Sequence, residues 1–289
     1  MELEGLNCVV TGAGRGIGRH IAETFASGGA NLALCARSGG EVAEVGASIE
    51  DRFGVRVVTQ AVDVSNEPAV AAFAGLAEAR LGGVDVLVNN AGVYGPVGPL
   101  TSVDLVAWVG AVDIDLLGVV HAIRCFVPLM EARGEGRIVN LAGGGIGGPN
   151  QPVNVSAYTC SKAAVVSLTE TLARELEPAG IRVNALAPGA ISTSLIDTVI
   201  EAGPERAGAE LHASSVRQRE GGDPIGNVGR AALFLASEQS GGLTGRLLSA
   251  KWDPLEAIEA ELAGGGDLDP SRYTLRRIDG VLFAAVPRQ

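Results

Sequence analysis

The chain has 289 residues, a net charge of −11 and 41 glycines. The acidic balance argues against nucleic acid and anionic membrane surfaces as partners. With 47% hydrophobic residues and no period-three glycine repeat, the chain can bury a large core and is not collagen-like, so its glycine excess indicates tight turns or backbone that approaches a ligand.

Targeting segments and metal sites are not indicated either. Acidic residues at the N-terminus do not suit a signal peptide, and no run of 18 uninterrupted apolar residues suggests a membrane span. We therefore expect a soluble cytoplasmic protein. The four cysteines and three histidines are scattered, so neither a disulfide framework nor a metal site is expected.

Short apolar runs alternate with longer segments of helical periodicity, which is the pattern of repeated βαβ units. The predicted strands are Asn7–Val10, Asn31–Ala36, Val55–Val62, Val84–Asn89, Gly136–Leu141, Arg182–Ala187 and Arg246–Ser249. The predicted helices cover residues 16–28, 40–53, 66–81, 102–131, 157–178 and 225–237. Right-handed crossovers then give a doubly wound α/β fold, with about seven parallel strands, helices on both faces and a ligand site at the carboxyl ends of the strands.

The domain organisation follows from composition along the chain. No shift typical of a linker appears before about residue 250, which predicts one domain over residues 1–250. Residues 190–225 are less regular and follow a strand end, where a substrate loop is expected. Residues 251–289 are interpreted as a C-terminal extension with a short acidic helix, a glycine break and a basic stretch.

The first predicted strand runs into a glycine-rich turn, Thr11-Gly12-Ala13-Gly14-Arg15-Gly16-Ile17-Gly18, and a helical segment follows it. Gly12 permits a tight turn, Gly16 lets backbone approach a pyrophosphate, and Gly18 allows close packing of the helix on the strand. Phosphates would meet the positive end of the helix. The turn therefore predicts a dinucleotide site.

The end of the second strand bears on the choice of dinucleotide. An NAD site commonly has an acidic residue there, which binds the ribose 2′-hydroxyl. This strand instead ends Cys35-Ala36-Arg37-Ser38. Arg37, with Arg15 as a second candidate, offers a guanidinium to a 2′-phosphate. The sequence thus favours NADP(H) over NAD(H), the plain alternative being that Arg37 is a solvated arginine at a loop end.

Five motifs occur in an order and spacing that resemble the short-chain dehydrogenase/reductase family, over about residues 5–250. They are TGAGRGIG, Asp63-Val64, Asn89-Asn90-Ala91-Gly92, Tyr158-Thr159-Cys160-Ser161-Lys162, and Pro188-Gly189 with Thr193. The resemblance implies a Rossmann-type domain that binds a nicotinamide dinucleotide and interconverts alcohols and carbonyl compounds.

The same resemblance assigns roles to individual residues. It implies that Asp63 and Val64 contact adenine, that Asn90 contacts the adenine ribose, and that Ile191 and Thr193 contact the nicotinamide carboxamide. The whole expected cofactor-binding set is Gly12, Arg15, Gly16, Ile17, Gly18, Arg37, Asp63, Val64, Asn90, Ala91, Gly92, Tyr158, Lys162, Pro188, Gly189, Ile191 and Thr193.

Tyr158 and Lys162 are four residues apart on a predicted helix, so their side chains lie on one face. A neighbouring ammonium favours the ionised form of a phenol, whose unperturbed pKa is about 10. Tyr158 is therefore expected to exchange a proton with a substrate oxygen near neutral pH. In the family the lysine also holds the nicotinamide ribose.

Two positions depart from the family pattern. The family has a serine after the fifth strand that hydrogen-bonds the substrate oxygen, but here that position falls on Ala142 or Gly143. Loss of such a bond can cost about 10²–10³ in rate. The family also has an asparagine in the long helix after NNAG, where this chain has Asp115, whose carboxylate would tend to raise the pKa of Lys162.

Several groups could replace the missing serine. Backbone N–H groups of residues 143–145 could point at the substrate oxygen, or Asn150, Asn154 or Ser156 could reach it from the following loop. The alternative is that the glycine-rich loop only makes room for a bulky substrate.

Three functions therefore stay open. The favoured one is an NADP(H)-dependent oxidoreductase that interconverts a ketone or aldehyde and an alcohol, with Tyr158, Lys162 and Asp115 as catalytic residues. The second is a cofactor-retaining enzyme without net redox, such as an epimerase, dehydratase or cyclase. The third is a non-catalytic NADP-binding subunit.

The expected partners are a small-molecule substrate and further copies of the chain. Members of the family commonly form dimers or tetramers by packing two long helices, which here are residues 102–131 and 157–178. Their apolar content is compatible with a homodimer or homotetramer, although packing in the core alone also explains it.

Overall fold

The computed structural model describes residues 2–143, 151–264 and 272–274. Within them, seven strands form one parallel sheet in the order β3-β2-β1-β4-β5-β6-β7. The strands are β1 Asn7–Thr11, β2 Asn31–Ala36, β3 Val57–Ala61, β4 Val86–Asn89, β5 Gly136–Leu141, β6 Ile181–Ala187 and β7 Leu247–Ser249. The predicted doubly wound parallel sheet is confirmed, and the predicted strand ends differ by one or two residues.

Helices cover both faces of this sheet, which explains why its central strands are continuous apolar runs. Every residue of β1, β4 and β5 is buried. The helices are α1 Gly16–Ser27, α2 Gly39–Phe53, α3 Glu67–Leu81, α4 Leu105–Val112, α5 Gly118–Glu131, α6 Ser156–Leu176, α7 Leu195–Ala207, α8 Ala209–Glu220, α9 Ile225–Ala236 and α10 Leu255–Ala263.

The sheet order reverses between β1 and β4, and this reversal positions the site. The chain runs outward from β1 to β3, and then returns to β4 on the other side of β1. Because the crossover helices leave opposite faces there, a crevice opens at the carboxyl ends of these two strands. The glycine-rich turn after β1 and the Asn-Asn-Ala-Gly segment after β4 both face this crevice.

The predicted helix over residues 102–131 is not one regular helix. Between α4 and α5 the chain makes a π-helical turn, Asp113–Leu117, which carries Asp115. Such turns are rare and occur mostly at functional sites. The periodicity of the apolar residues could not show this turn, because one extra residue in a helix shifts the apolar face without ending it.

Residues 190–225 are more regular than the sequence analysis expected. They contain α7 and α8, with a break at Gly203, whose φ of 75° is unsuited to a helix. The apolar face of α7 is short and α8 buries only Ser214, so the helical periodicity was weak in the sequence. The segment expected to form a substrate loop therefore consists mainly of two helices, α7 and α8. We call these two helices the helical cover.

One helical run among the described residues, Leu105–Glu131, is long and apolar enough to cross a membrane by length and composition. Its α5 half buries Val119, Phe126 and Met130 against the sheet. The buried carboxylate of Asp115 interrupts the run near its middle. The α5 half is thus part of the core, whereas the α4 half has its apolar side chains exposed.

Candidate active site

A cavity of about 630 Å³ lies at the carboxyl ends of β1, β4, β5 and β6. This volume is typical of sites that hold a cofactor and a small substrate. Its walls include these residues of the expected cofactor-binding set: Gly12, Arg15, Gly16, Ile17, Arg37, Asp63, Val64, Asn90, Ala91, Gly92, Tyr158, Lys162, Pro188 and Thr193. The fold therefore brings most of the predicted set to one place.

Four predicted residues do not line the cavity. Gly18 is buried beneath it, and a Cβ there would overlap the Asn90 amide and the Gly12 carbonyl. Gly189 has a φ of +84° and turns the chain into the helical cover, while the Ile191 backbone bridges to Gly222. Asp115 lies behind Gly92. Gly18, Gly189 and Ile191 thus shape the wall from behind.

The glycine-rich turn has the geometry of a phosphate cradle. Gly12 has a φ of +66°, and a Cβ on it would lie 2.8 Å from the Ala91 Cα. Gly16 has a φ of +56° and begins α1, and both Gly16 and Ile17 line the cavity. Because side chains are absent at these positions, backbone donors and the positive end of α1 are open to an anion. The residues present fit a dinucleotide.

Asn90 ties the glycine turn to the end of β4. Its side-chain amide donates to the carbonyl oxygens of Thr11 and Gly12, at 2.9 and 3.1 Å. The backbone N–H groups of Asn90 and Ala91 both donate to the Thr11 hydroxyl, at 3.0 and 3.1 Å. These four bonds hold the two halves of the cavity floor in register.

At the opposite end, the loop after β2 forms the adenosine side of the cavity. Arg15 and Arg37 are exposed and line this end, together with Glu41. Hydrogen bonds from Ser65 hold the pKa of Asp63 below its ordinary value, and the Arg37 guanidinium acts in the same direction. This end therefore carries two exposed guanidinium groups and a carboxylate whose ionised form is favoured.

Lys162 occupies the centre of the site. Lys162 is 3% exposed, and its ammonium donates to the Leu141 carbonyl oxygen at 2.9 Å. Asp115 approaches it across Gly92, where an added Cβ would lie 3.1 Å from Asp115 Oδ1 and 3.4 Å from Lys162 Nζ. Asp115 Oδ1 accepts the Val93 N–H at 2.7 Å, whereas its buried Oδ2 has no partner.

Burial decides the protonation of these groups. It lowers the pKa of Lys162, although the Asp115 carboxylate acts in the opposite direction, as the sequence analysis expected. Burial also raises the pKa of Asp115 to about 6, against the attraction of Lys162 and the Val93 hydrogen bond. Burial therefore disfavours the charged forms of both Lys162 and Asp115.

Tyr158 corrects one expectation. Burial raises its pKa, and Tyr94 and Asp115 add to the rise. The predicted ease of ionisation is wrong for this structure, because the Lys162 ammonium lies 6.0 Å from the ring centroid and bonds to Leu141 instead. The phenol is protonated, which is the form a proton donor to a carbonyl oxygen needs.

Ala142 and Gly143 follow β5 beside this tyrosine. A Cβ on Gly143 would lie 3.0 Å from the Tyr158 hydroxyl oxygen, so residue 143 is the position from which a side chain would reach it. Of the predicted replacement donors, Ser156 accepts a hydrogen bond from Trp108 Nε1 at 3.0 Å, and the Asn154 amide lies beside Gly208. Residues 144, 145 and 150 lie outside the described residues.

Tyr94 is a residue of the site that sequence reasoning missed. It lines the cavity next to Tyr158, with ring centroids 4.8 Å apart and planes at 70°. Its place two residues after the Asn-Asn-Ala-Gly segment was the available signal. Among the described residues no group of three His, Cys, Asp or Glu side chains could hold a metal ion.

Comparisons with known proteins agree with this arrangement. Residues 7–202 match the family model described as short chain dehydrogenase. The chain is 37% identical over 251 residues to the cis-4-hydroxycyclohexanecarboxylate dehydrogenase of Sinomonas cyclohexanicum, covering 83% of this chain and 93% of that protein. It is 32% identical over 249 residues to the 7alpha-hydroxysteroid dehydrogenase of Escherichia coli (strain K12), covering 86% and 94%.

A solved structure shows the same fold. The crystal structure of an NAD+-bound xylitol dehydrogenase superposes with a TM-score of 0.76 and 30% sequence identity. The superposition covers 86% of this chain and 98% of that one.

The buried carboxylate makes stability depend on pH. The pKa of Asp115 rises from 3.8 to about 6 on folding, so its stabilising contribution is complete below about pH 4 and is lost as pH rises through 6. Asp115→Asn keeps an acceptor for Val93 but cannot ionise. In urea unfolding, the free energy of unfolding of the variant, relative to that of the wild type, should rise by about 2–3 kcal/mol between pH 4 and pH 7.

The matched control is Asp113→Asn, which removes a carboxylate from the same turn without touching the Val93 bond. A stability difference between wild type and Asp115→Asn that stays constant from pH 4 to pH 7 would contradict the raised pKa.

Proposed function

We propose, because the chain belongs to the short-chain dehydrogenase family, that it interconverts a ketone and a secondary alcohol with NADP(H) as coenzyme. The observation that carries the proposal is the position of Tyr158, which lines the cavity that the glycine turn opens into. The dihydronicotinamide, when bound, supplies the hydride.

The residues of the chain supply everything else. In reduction, the Tyr158 hydroxyl donates its proton to the carbonyl oxygen as negative charge develops there. Oxidation is the reverse step and starts from the Tyr158 phenolate, whose oxygen accepts the proton of the alcohol. The floor formed by Asn90, Ala91 and Gly92 and the wall formed by Leu141 and Ala142 exclude water around the reacting carbon.

Lys162 and Asp115 support this transfer from behind. The Lys162 ammonium, 6.0 Å from the Tyr158 ring centroid, does not ionise the phenol at rest, but its positive charge favours the phenolate formed when the proton leaves. The Asp115 carboxylate lies across Gly92 from Lys162 and raises the pKa of its ammonium against the effect of burial. We assign Lys162 the role of electrostatic partner and Asp115 that of holding its charge.

Preference for NADP(H) is supported by charge at the adenosine end. Arg15 and Arg37 line that end of the cavity, and the position where an acidic residue would bind a 2′-hydroxyl is Ala36. Two guanidinium groups complement the 2′-phosphate. The Glu41 carboxylate opposes their positive charge, but Glu41 is exposed. Its backbone N–H donates to the Ser38 side chain.

The substrate class we propose is a ring ketone or ring alcohol. Two relatives carry names of ring alcohols, a hydroxysteroid and a hydroxycyclohexanecarboxylate. The substrate end of the cavity suits such a ring because it is walled by Tyr94, Ile114, Ala142 and Leu195, which are mainly apolar.

The experiment that tests the function is a coenzyme balance. With cyclohexanone-type and steroid ketones, one NADPH should be oxidised per alcohol formed, and Tyr158→Phe should lose at least about 10²-fold in kcat because the proton donor is gone. The control, Tyr273→Phe, removes a hydroxyl far from the cavity. Substrate turnover without net change in nicotinamide absorbance would support an epimerase, dehydratase or cyclase instead.

Coenzyme choice is tested at Arg37. Arg37→Leu removes a charge-assisted bond to the 2′-phosphate, so the KM for NADPH should rise about 10–100-fold while the KM for NADH changes little. Arg80→Leu, on α3 and outside the cavity wall, is the control. An equal change for both coenzymes would contradict the proposed preference.

We further propose that α4 contributes to a homodimer or homotetramer contact, together with α6. Leu105, Val106 and Val109 of α4 are 70%, 81% and 44% exposed, and such a patch on one helix face is typical of an interface. Trp108 and Ser156 join α4 to α6 by a hydrogen bond, so the two helices present one surface.

The interface is tested by a charge in its middle. Val106→Lys should shift the protein toward monomer in sedimentation-velocity runs, because a buried unpaired ammonium is costly. Val106→Ala, which keeps the patch apolar, should assemble like the wild type. An unchanged oligomeric state of a folded Val106→Lys protein would exclude α4 from the interface.

A further inference from the structure

The ketone and alcohol chemistry proposed above needs a hydrogen-bond donor beside Tyr158. Charge develops on the substrate oxygen, and one donor at that oxygen is worth about 10²–10³ in rate. Residues 142–150 read AGGGIGGPN and contain no hydroxyl. The donor is therefore a backbone N–H group, the Asn150 amide or a group from another part of the cavity wall.

Among the described residues, few hydroxyl groups line the cavity, and their positions limit which of them could donate to the substrate oxygen. Ser38 is at the adenosine end, Thr193 packs against Gly16, and Ser194 and Thr198 are exposed on the helical cover. Only Tyr94 among them is in ring contact with Tyr158. Ser161, although its buried hydroxyl has no partner, is not part of the cavity wall.

The rings of Tyr94 and Tyr158 are held firmly next to each other. Both pack against the same apolar cluster, which includes Val97, Val155 and Val199. The edge-to-face arrangement at 4.8 Å is a favourable geometry for two aromatic rings. Because the cluster lies behind both rings, their orientation is set before a substrate enters.

The two hydroxyl groups share a third neighbour, Arg217 of α8. The Arg217 guanidinium lowers the pKa of Tyr94 against the effect of burial, and it acts on the pKa of Tyr158 in the same sense. One cation of the helical cover therefore acts on both phenols. Glu210, 4.0 Å from Arg217 and itself half-buried, holds the guanidinium in place.

The Tyr94 O–H is available as a donor. A guanidinium can only donate hydrogen bonds, so Arg217 cannot accept the Tyr94 O–H, and a nearby cation makes a phenol a stronger donor because it favours the charged form.

From these contacts we propose that Tyr94 donates a hydrogen bond to the substrate oxygen, in the role that a serine has in the family, and that Arg217 positions it. Tyr158 remains the group that transfers the proton. The inference rests on the proposed ketone and alcohol interconversion. It makes the helical cover part of the site, since α8 supplies the positioning residue.

The test compares Tyr94→Phe, which keeps the ring, with Tyr94→Leu, which removes it. Tyr94→Phe should lower kcat for ketone reduction about 10–10³-fold while the Kd of NADPH stays unchanged. A second measurement involves no turnover: calorimetric titration of the alcohol product into enzyme saturated with NADPH. There Tyr94→Phe should weaken the alcohol about threefold to tenfold.

Tyr273→Phe is the matched control, because the Tyr273 hydroxyl accepts a bond from an arginine, Arg272, at 3.1 Å, but outside the cavity wall. It should leave kcat and alcohol affinity unchanged. A double-mutant cycle measures whether the effect of Arg217 on kcat depends on the Tyr94 hydroxyl. Arg217→Met should lower kcat in the wild type and have little further effect in Tyr94→Phe, and Arg217→Lys should restore part of the loss.

Each other result is decisive. If Tyr94→Phe keeps wild-type kcat and alcohol affinity while Tyr94→Leu loses activity, the ring only packs and the proposal is wrong. If Arg217→Met lowers kcat equally in the wild type and in Tyr94→Phe, Arg217 does not act through Tyr94. If the unsubstituted protein oxidises no NADPH with any ketone, the proposed function itself fails, and that failure appears in the wild type rather than in the variants.

Discussion

The site depends on one buried interaction, the hydrogen bond that the Lys162 ammonium donates to the Leu141 carbonyl, while the Asp115 carboxylate acts on its charge across Gly92. A lysine that is 3% exposed is unfavourable unless the hydrogen bonds and the charge of its ammonium are met from within the protein. Meeting them needs the end of β5, the π-helical turn that carries Asp115, and the absence of a side chain at Gly92. The resulting geometry places the Lys162 charge behind Tyr158.

The rest of the cavity follows from the parallel sheet. The carboxyl ends of parallel strands lie at one edge of the sheet, so segments that are distant in the chain meet there. The Asn90 amide then locks the turn after β1 to the end of β4. A second buried chain, from Asn89 through Asn140 to Thr169, ties the sheet to α6 and so to Tyr158 and Lys162.

Much of this could be predicted from sequence, for physical reasons. Strands buried on both faces leave continuous apolar runs, and a phosphate turn must have glycines at fixed spacing, so the parallel sheet and the TGAGRGIG turn could be predicted. The π-helical turn at Asp113–Leu117 and the helices α7 and α8 could not. Their signals are weak because α8 buries almost nothing and the turn leaves the apolar pattern intact. Tyr94 was missed because its role comes from contacts with α6 and α8, which only the fold creates.

The central claim is that this cavity moves a hydride and the Tyr158 proton to one carbonyl group. The most direct measurement uses NADPH deuterated at the transferring position of the nicotinamide and analyses the alcohol by mass spectrometry and NMR. The account predicts one deuterium per molecule, located on the carbinol carbon, for every NADPH consumed. Product without deuterium, or product formed while the labelled NADPH is conserved, would contradict it.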